Sequence, residues 1–269
     1  MEHKNGTGVS VIVFDVDNTL VKGNLTFFFL AHLAKQNFYS FYKCLGLLAH
    51  GALLTLKHLP SIAKKTLLKP GNIHQLDLII YKAIKNFYQK FFDTLNKLNV
   101  SKNDIKKIAQ TLFSEQFFKK HVYEQAINKI EHHLNNDSNI VVLLSGSPQE
   151  IISPFLQTMC NELNKRNISW KKRLFAIGTQ IGEIKNNIHP CIGSQKIIML
   201  KKLLTKKNLT PYTISFIYSD NGFMADLPLL LEAKNGAGLI CRKSRLYQLL
   251  PKKLLESLVF LPGWARKAG

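Results

Sequence analysis

The stretch Val9 to Leu20, VSVIVFDVDNTL, constrains what this chain can fold into more than any other. From Val9 to Phe14 it is almost continuously apolar and β-branched. That pattern suits a strand buried on both faces of a parallel sheet, because a strand with one wet face alternates apolar and polar residues. Asp15 and Asp17 follow as the apolar run ends. Open α/β sheets place their ligand sites just outside the carboxyl ends of their strands, so the pair stands in a chemical location. Taken alone, it also reads as an Asx-rich turn.

Two later stretches repeat the theme. Asn139 to Leu144, NIVVLL, is a short buried-strand pattern that runs into Ser145-Gly146-Ser147-Pro148-Gln149-Glu150. Ser147 and Glu150 have the spacing of a capping box, and Pro148 suits a first helical position, so a helix is expected to start here. Its free N–H groups, preceded by Gly146, form an anion site, and Ser145 is placed to hydrogen-bond the anion. Thr213 to Tyr218, TISFIY, is a third strand pattern, followed by Ser219, Asp220 and, further along the loop, Asp226. Between them, Arg173 to Lys196 reads as a strand, a hairpin-like excursion and a Cys191-x-Gly193-x-x-Lys196 run. A helix over about 194–202 carries Lys196 in its first turn. A cation there opposes the helix dipole, so another interaction must hold it.

The run Asp15-Val16-Asp17-Asn18-Thr19 resembles the first motif of the haloacid dehalogenase superfamily of phosphatases, with Asn18 where the family usually has Gly. Ser145, Lys196 and Asp220 fall in the order of the family's later motifs. The resemblance implies a Rossmann-like α/β core in which Asp15 attacks phosphorus and forms an acyl-phosphate. Asp17 would protonate the leaving oxygen and later deprotonate water. It further implies that Thr19, Ser145, Gly146 and Lys196 hold the phosphoryl group. Asp15, Asp17 through its carbonyl, and Asp220 would hold Mg²⁺. Asp226 stands further from Asp220 than the family's second acid usually does. It either reaches the metal or caps a helix over 227–233.

Between the first two strands, Asn24 to Asp137 has little strand character. It contains Leu25 to Leu33, an aromatic and basic stretch (Phe38, Tyr39, Phe41, Tyr42, Lys43) and the apolar Cys44 to Leu56. Ile73 to Leu98 has helical periodicity, and Ser101 to Asp104 is expected to open a helix running through Phe118. The apolar runs are shorter than the roughly 18 residues of a membrane-spanning helix, so none is expected to cross a bilayer. Two readings stay open for this segment: helices packed on one another, or helices that also lie on a membrane surface. An insertion directly after the first strand resembles the helical cap of the phosphoserine-phosphatase-like branch. The expected division is a catalytic core of residues 1–23 and 138–269 with a cap of residues 24–137. His132 and His133 read as surface residues, Ala237 to Cys241 as a last edge strand, and Leu246 to Trp264 as a packing helix.

With 269 residues, 46% of them hydrophobic and 10% aromatic, the chain is not a disordered one. A formal net charge of +20 calls for an anionic partner to be considered: a phosphorylated substrate, nucleic acid or an acidic lipid surface. The lysines are scattered with Asn along helix-like segments, and no nucleic-acid module is recognisable, so no nucleic acid is expected. Cys44, Cys160, Cys191 and Cys241 lie far apart without a C-x-x-C pair, which points to a reducing compartment. No signal peptide is evident, and the expected location is the cytoplasm. The function expected is Mg²⁺-dependent hydrolysis of a small-molecule phosphomonoester. Asn24 stands where phosphoserine phosphatases carry a Glu for the substrate amino group. The turns after the strands are similar to those of phosphatidylglycerophosphatase-like members, which makes a lipid phosphatase in peripheral contact with an anionic membrane the alternative. A catalytically eroded binding protein on the same fold is the alternative of another class.

Overall fold

The apolar run Val9–Asp15 forms β1, and its alternation divides the core. Val11 and Val13 belong to one buried cluster, while Ile12 and Phe14 belong to the other, so the strand is covered on both faces. The structure, a computed structural model, describes residues 8–36, 42, 46–47, 73–181, 187–220, 226–240 and 256–261. Most of the apolar stretch Cys44 to Leu56, most of the aromatic and basic stretch before it, Cys44, Cys241 and most of the expected C-terminal helix lie outside those residues.

After β1 come α1 (Leu25–Gln36), α2 (Ile73–Lys97), α3 (Lys102–Leu112), α4 (Glu115–His121) and α5 (Glu124–Leu134). The remaining elements are β2 (Asn139–Pro148), α6 (Gln149–Lys165), β3 (Leu174–Ile181), β4 (Ile188–His189), α7 (Ser194–Lys206), β5 (Tyr212–Ser219), α8 (Leu227–Leu230), β6 (Ala237–Leu239) and β7 (Leu258–Phe260). The strands form one seven-stranded sheet in the order β4-β3-β2-β1-β5-β6-β7. All neighbours are parallel except β3 and β4. This is a mixed α/β, Rossmann-like fold. The chain winds outward from β1 in one direction through β2 and β3, then returns to its other side at β5. The point of reversal opens a crevice at the carboxyl ends of β1 and β5, where such sheets bind ligands.

One face of the sheet is covered by α7 and α8, with Met199, Leu200, Leu204, Leu229 and Leu230 packed on Val11, Val13, Val142 and Ile217. The other carries α6 and the inserted helices: Phe155, Phe91, Phe29 and Ile130 share a cluster with Ile12, Phe14, Val141 and Leu143. The insertion therefore shares the core of the sheet.

Several local expectations are corrected. The helix expected to run from Ser101 through Phe118 is broken. Ser101 and Asp104 form a reciprocal capping box that starts α3, but Ser114 Oγ accepts the Phe117 N–H and starts α4 anew. The helix bearing Lys196 runs on to Lys206. Ala237–Leu239 is an interior strand and Leu258–Phe260 takes the edge. No capping box forms at Ser147 and Glu150, because β2 continues to Pro148 and α6 begins at Gln149 without a side-chain cap. Among the described residues, no helix is long and apolar enough to cross a membrane.

His133 is also corrected: it is not a surface residue. It packs half-buried beside Phe14 and Tyr218, with Nε2 3.0 Å from the Tyr218 hydroxyl. Burial, then the neighbouring His132 and Lys129, push its imidazole down to about 4. The fold thus favours the neutral ring. Its contribution is complete above pH 6.5 or so and drains away as pH falls from there towards 4, because the unfolded chain binds the proton first. We expect urea unfolding to show wild type losing about 2 kcal/mol more than His133→Phe between pH 7 and pH 4.5, a figure discounted for partial exposure.

Candidate active site

Asp15 is the last residue of β1, buried beneath the crevice. Beyond it the chain turns sharply through Asn18, whose φ of 59° lies in the left-handed region that Asn tolerates. The turn returns Thr19 under Asp15, where Thr19 Oγ1 donates to Asp15 Oδ2 at 3.2 Å. Opposite, the first turn of α7 projects Lys196, which is 1% exposed, between two carboxylates. Lys196 Nζ lies 2.5 Å from Asp15 Oδ1 and 2.5 Å from Asp226 Oδ1. The electrostatic cost of placing a cation at a helix N-terminus is thereby offset.

Asp226 immediately precedes α8 but does not cap it with its side chain. Its Oδ2 instead accepts the hydroxyl of Ser219, the last residue of β5, at 2.6 Å. Asp220 follows Ser219 directly. Oxygens of Asp15, Asp220 and Asp226 all lie within 4.8 Å of one another. Asp226 thus stands in the acidic cluster and leaves α8 without a side-chain cap. Hard carboxylate oxygens at this separation fit a divalent cation of the Mg²⁺ type.

Electrostatics support that fit. Burial pushes the Asp15 carboxyl well above its ordinary range, Lys196 pulls it part of the way back, and Asp226, Asp220 and Asp17 push it up again. Asp220 is raised to about 7, by burial first and then by Asp226. Burial alone would depress the Lys196 ammonium, but Asp15 and Asp226 outweigh it and hold the group above its usual range. Four carboxyl groups (Asp15, Asp17, Asp220, Asp226) thus share the crevice with the Lys196 ammonium, an excess of negative charge that a metal would neutralise.

Asp17 faces the other way. Its Oδ1 accepts the Leu25 N–H at 2.7 Å, at the start of α1, and its Oδ2 accepts Ser145 Oγ at 2.8 Å and Ser147 Oγ at 3.4 Å. Burial raises this carboxyl too, against the lowering effect of those donors. Ser145 Oγ also accepts the Ser147 N–H at 2.9 Å. Gly146 lies beside them, its carbonyl accepting the Thr179 hydroxyl. The predicted residues Asp15, Asp17, Thr19, Ser145, Gly146, Lys196, Asp220 and Asp226 therefore gather at one end of the sheet.

Sequence reasoning missed others. Ser147, read as a helix cap, accepts Thr26 Oγ1 at 2.9 Å, and Thr26 lies 3.3 Å from the Tyr88 hydroxyl of α2. Burial raises the Tyr88 phenol above its usual range. Asp77, also of α2, bonds Ser194 at the start of α7. Ser219 had a readable signal, a hydroxyl at a strand end beside Asp220. Thr26 and Tyr88 had none, since both sit in helical periodicity that reads as core.

The profile of the haloacid dehalogenase-like hydrolases matches residues 12–231. The chain belongs to that family. No curated protein sequence matches it significantly. Among solved structures, a Bordetella pertussis Tohama I protein of unknown function is similar at 12% identity, with 87% of this chain and 90% of that chain covered and a TM-score of 0.54. A phosphoserine phosphohydrolase-like protein from Francisella tularensis subsp. tularensis SCHU S4 has 16% identity, 86% of each chain covered and a TM-score of 0.46. A phosphoserine phosphatase carrying a phospho-aspartyl intermediate analogue has 13% identity, 90% and 91% covered, and a TM-score of 0.43. The haloacid dehalogenase-like profile begins inside β1 and ends just after α8, so it spans all the elements that build the crevice.

Replacing the central cation tests the electrostatics of this site. Lys196→Met leaves Asp15 and Asp226 buried without their partner, which we expect to cost about 3 kcal/mol at pH 8. The loss shrinks towards pH 5, because the Asp15 carboxyl, raised further in the folded state once Lys196 is gone, binds a proton there before the unfolded chain does. Denaturant unfolding of both proteins across that range measures it.

Proposed function

We propose that the chain is a Mg²⁺-dependent phosphomonoester hydrolase acting through an aspartyl-phosphate on Asp15. The observation that carries this reading is Lys196 fixed between Asp15 and Asp226 with Asp220 beside them. Lys196 holds one Asp15 oxygen and Thr19 the other, which aims the carboxylate at an electrophile entering from the crevice. Asp15 Oδ forms the bond to phosphorus as the ester oxygen departs, and that oxygen takes its proton from Asp17. In the second step Asp17 removes a proton from water, which attacks the acyl-phosphate and releases phosphate. Asp17's raised pKa, which burial causes, suits the alternation of acid and base. Ser145 and Lys196 are the donors assigned to the phosphoryl oxygens, with Thr19 and Gly146 behind them. Asp15, the Asp17 carbonyl, Asp220 and Asp226 would hold Mg²⁺, which supplies charge neutralisation between the carboxylates and the phosphate.

We assign the inserted segment, residues 24–137, the role of a cap that excludes water from these steps. The cysteines among the described residues, Cys160 and Cys191, are free and buried, which supports a cytoplasmic protein. A small phosphomonoester is the first substrate class. A lipid phosphate at an anionic membrane surface is the second reading, and specific observations favour it. Asn24 uses its side chain to accept the Phe27 N–H at 3.1 Å and offers no charge for an amino group. On the inserted helices, Phe27 and Leu78 are 46% and 52% exposed.

The test is phosphate release from a panel of small phosphomonoesters and of phosphatidylglycerophosphate in detergent, with Mg²⁺ or with chelator. Release that needs Mg²⁺ and falls about a thousandfold or more in Asp15→Asn is the expected result. The preferred substrate decides between the two classes, and no release from any of them points to the eroded binding protein. The acidic cluster also sets a pH dependence. Protons compete with the metal for Asp220, so calorimetric Mg²⁺ affinity should decline below a pH of about 7, approaching tenfold per unit.

A further inference from the structure

The inner face of α2 is apolar over most of its length, with Phe87, Tyr88, Phe91 and Leu95 buried in the core. Asp77 breaks that pattern. Its carboxylate accepts the Ser194 N–H, with the nitrogen 3.2 and 3.3 Å from its two oxygens, and the Ser194 hydroxyl at 2.5 Å, across 117 residues of sequence. These donors belong to the first residue of α7, whose N-cap position is Gly193. Gly193 has no side chain to cap with, and it sits at a φ of 52°; a Cβ there would lie 1.7 Å from Asp77 Oδ1. The glycine leaves open the space that a carboxylate from another element fills.

Helix α7 needs such a partner more than most. The Gln195 and Lys196 N–H groups are met by the Ile192 and Gly193 carbonyls, which leaves the Ser194 N–H to Asp77, and the helix carries Lys196 in its first turn, against the dipole. Both Lys196 contacts, at 2.5 Å, depend on where that first turn sits. A side-chain acceptor from another element meets the Ser194 N–H and so fixes where that first turn sits.

We propose that Asp77 is a positioning residue for Lys196: by capping α7 from the inserted segment, it fixes the ammonium that binds the phosphoryl group. This rests on the phosphatase reading above. Seating of α2 and affinity for phosphate are then linked, and the linkage is reciprocal. A helix that merely covered the crevice would need no bond to α7.

The test titrates inorganic phosphate, in the presence of Mg²⁺, into wild type, Asp77→Ala, Asp77→Asn and Ser194→Ala by calorimetry, with steady-state hydrolysis of p-nitrophenyl phosphate alongside. Asp77→Ala should weaken phosphate binding about tenfold and raise KM more than it lowers kcat. Ser194→Ala, which keeps the N–H donor, should shift both in the same direction by less. Asp77→Asn should recover most of the loss, since Asn caps a helix about as well as Asp. Unchanged affinity in Asp77→Ala overturns the proposal, as does an Asp77→Asn protein as weak as Asp77→Ala. If Asp77→Ala does not fold, the other two variants decide: weaker phosphate in Ser194→Ala with near-normal Asp77→Asn supports the proposal, and the reverse overturns it. Wild type that neither binds phosphate nor hydrolyses the ester removes the phosphatase reading, and this proposal with it.

Discussion

Lys196 between Asp15 and Asp226 is the contact on which the remaining architecture depends. Taking three charged groups out of water is costly unless geometry is tight and the leftover lone pairs are met. Here Thr19 and Ser219 meet them, each delivered by the end of a strand or by the turn that follows it. The strands bring Asp15 and Ser219 to one end of the sheet, and α7 comes from beneath with the cation. Neither side is well placed without the other. Neighbouring carboxyls leave the cluster short of positive charge, so the arrangement that holds Lys196 also prepares a place for a metal ion.

Much of this was legible in the sequence because buried parallel strands have a plain signature. VSVIVFD, NIVVLL and TISFIY each became a strand with both faces covered, and the residues at their ends became the crevice. Lys196 was legible from a local conflict, a cation where the helix dipole disfavours one, which required a partner elsewhere. Less was legible where a residue had two competing uses. Ser147 has the spacing of a cap, but its hydroxyl is taken by Asp17 and Thr26, and tertiary hydrogen bonds overrode the local motif. Tyr88 and Asp77 lie on a helix whose periodicity says only that one face is buried, not what it is buried against. His132 and His133 are adjacent in sequence, yet only His133 turns inward, where it packs on Phe14 of β1 and Tyr218 of β5.

The inserted helices do more than stand over the sheet. Leu25 of α1 gives its backbone N–H to Asp17, Thr26 and Tyr88 continue that polar chain outward, and Asp77 reaches the other side of the crevice. Phe29, Phe91 and Ile130 merge with the sheet's own hydrophobic cluster. Core and insertion are therefore one packing unit at the active end. Changes to the insertion that alter substrate choice would also act on the chemistry.

The register of the sheet carries a consequence for how the chain is made. β1 pairs with Asn139 and its neighbours on one side and with Tyr212 and its neighbours on the other. At synthesis rates of roughly 5–20 residues per second, the last of these emerges on the order of 10–40 s after Val9. Until Asn139 emerges, on the order of 6–26 s after Val9, β1 has no partner on either edge, and until Tyr212 follows it has β2 alone; long-range parallel pairing is intrinsically slow. The helices encoded in between need only local contacts to form, so they are the first structure available to shelter it. The placement of the helices directly after β1 thus serves the nascent chain as well as the finished enzyme.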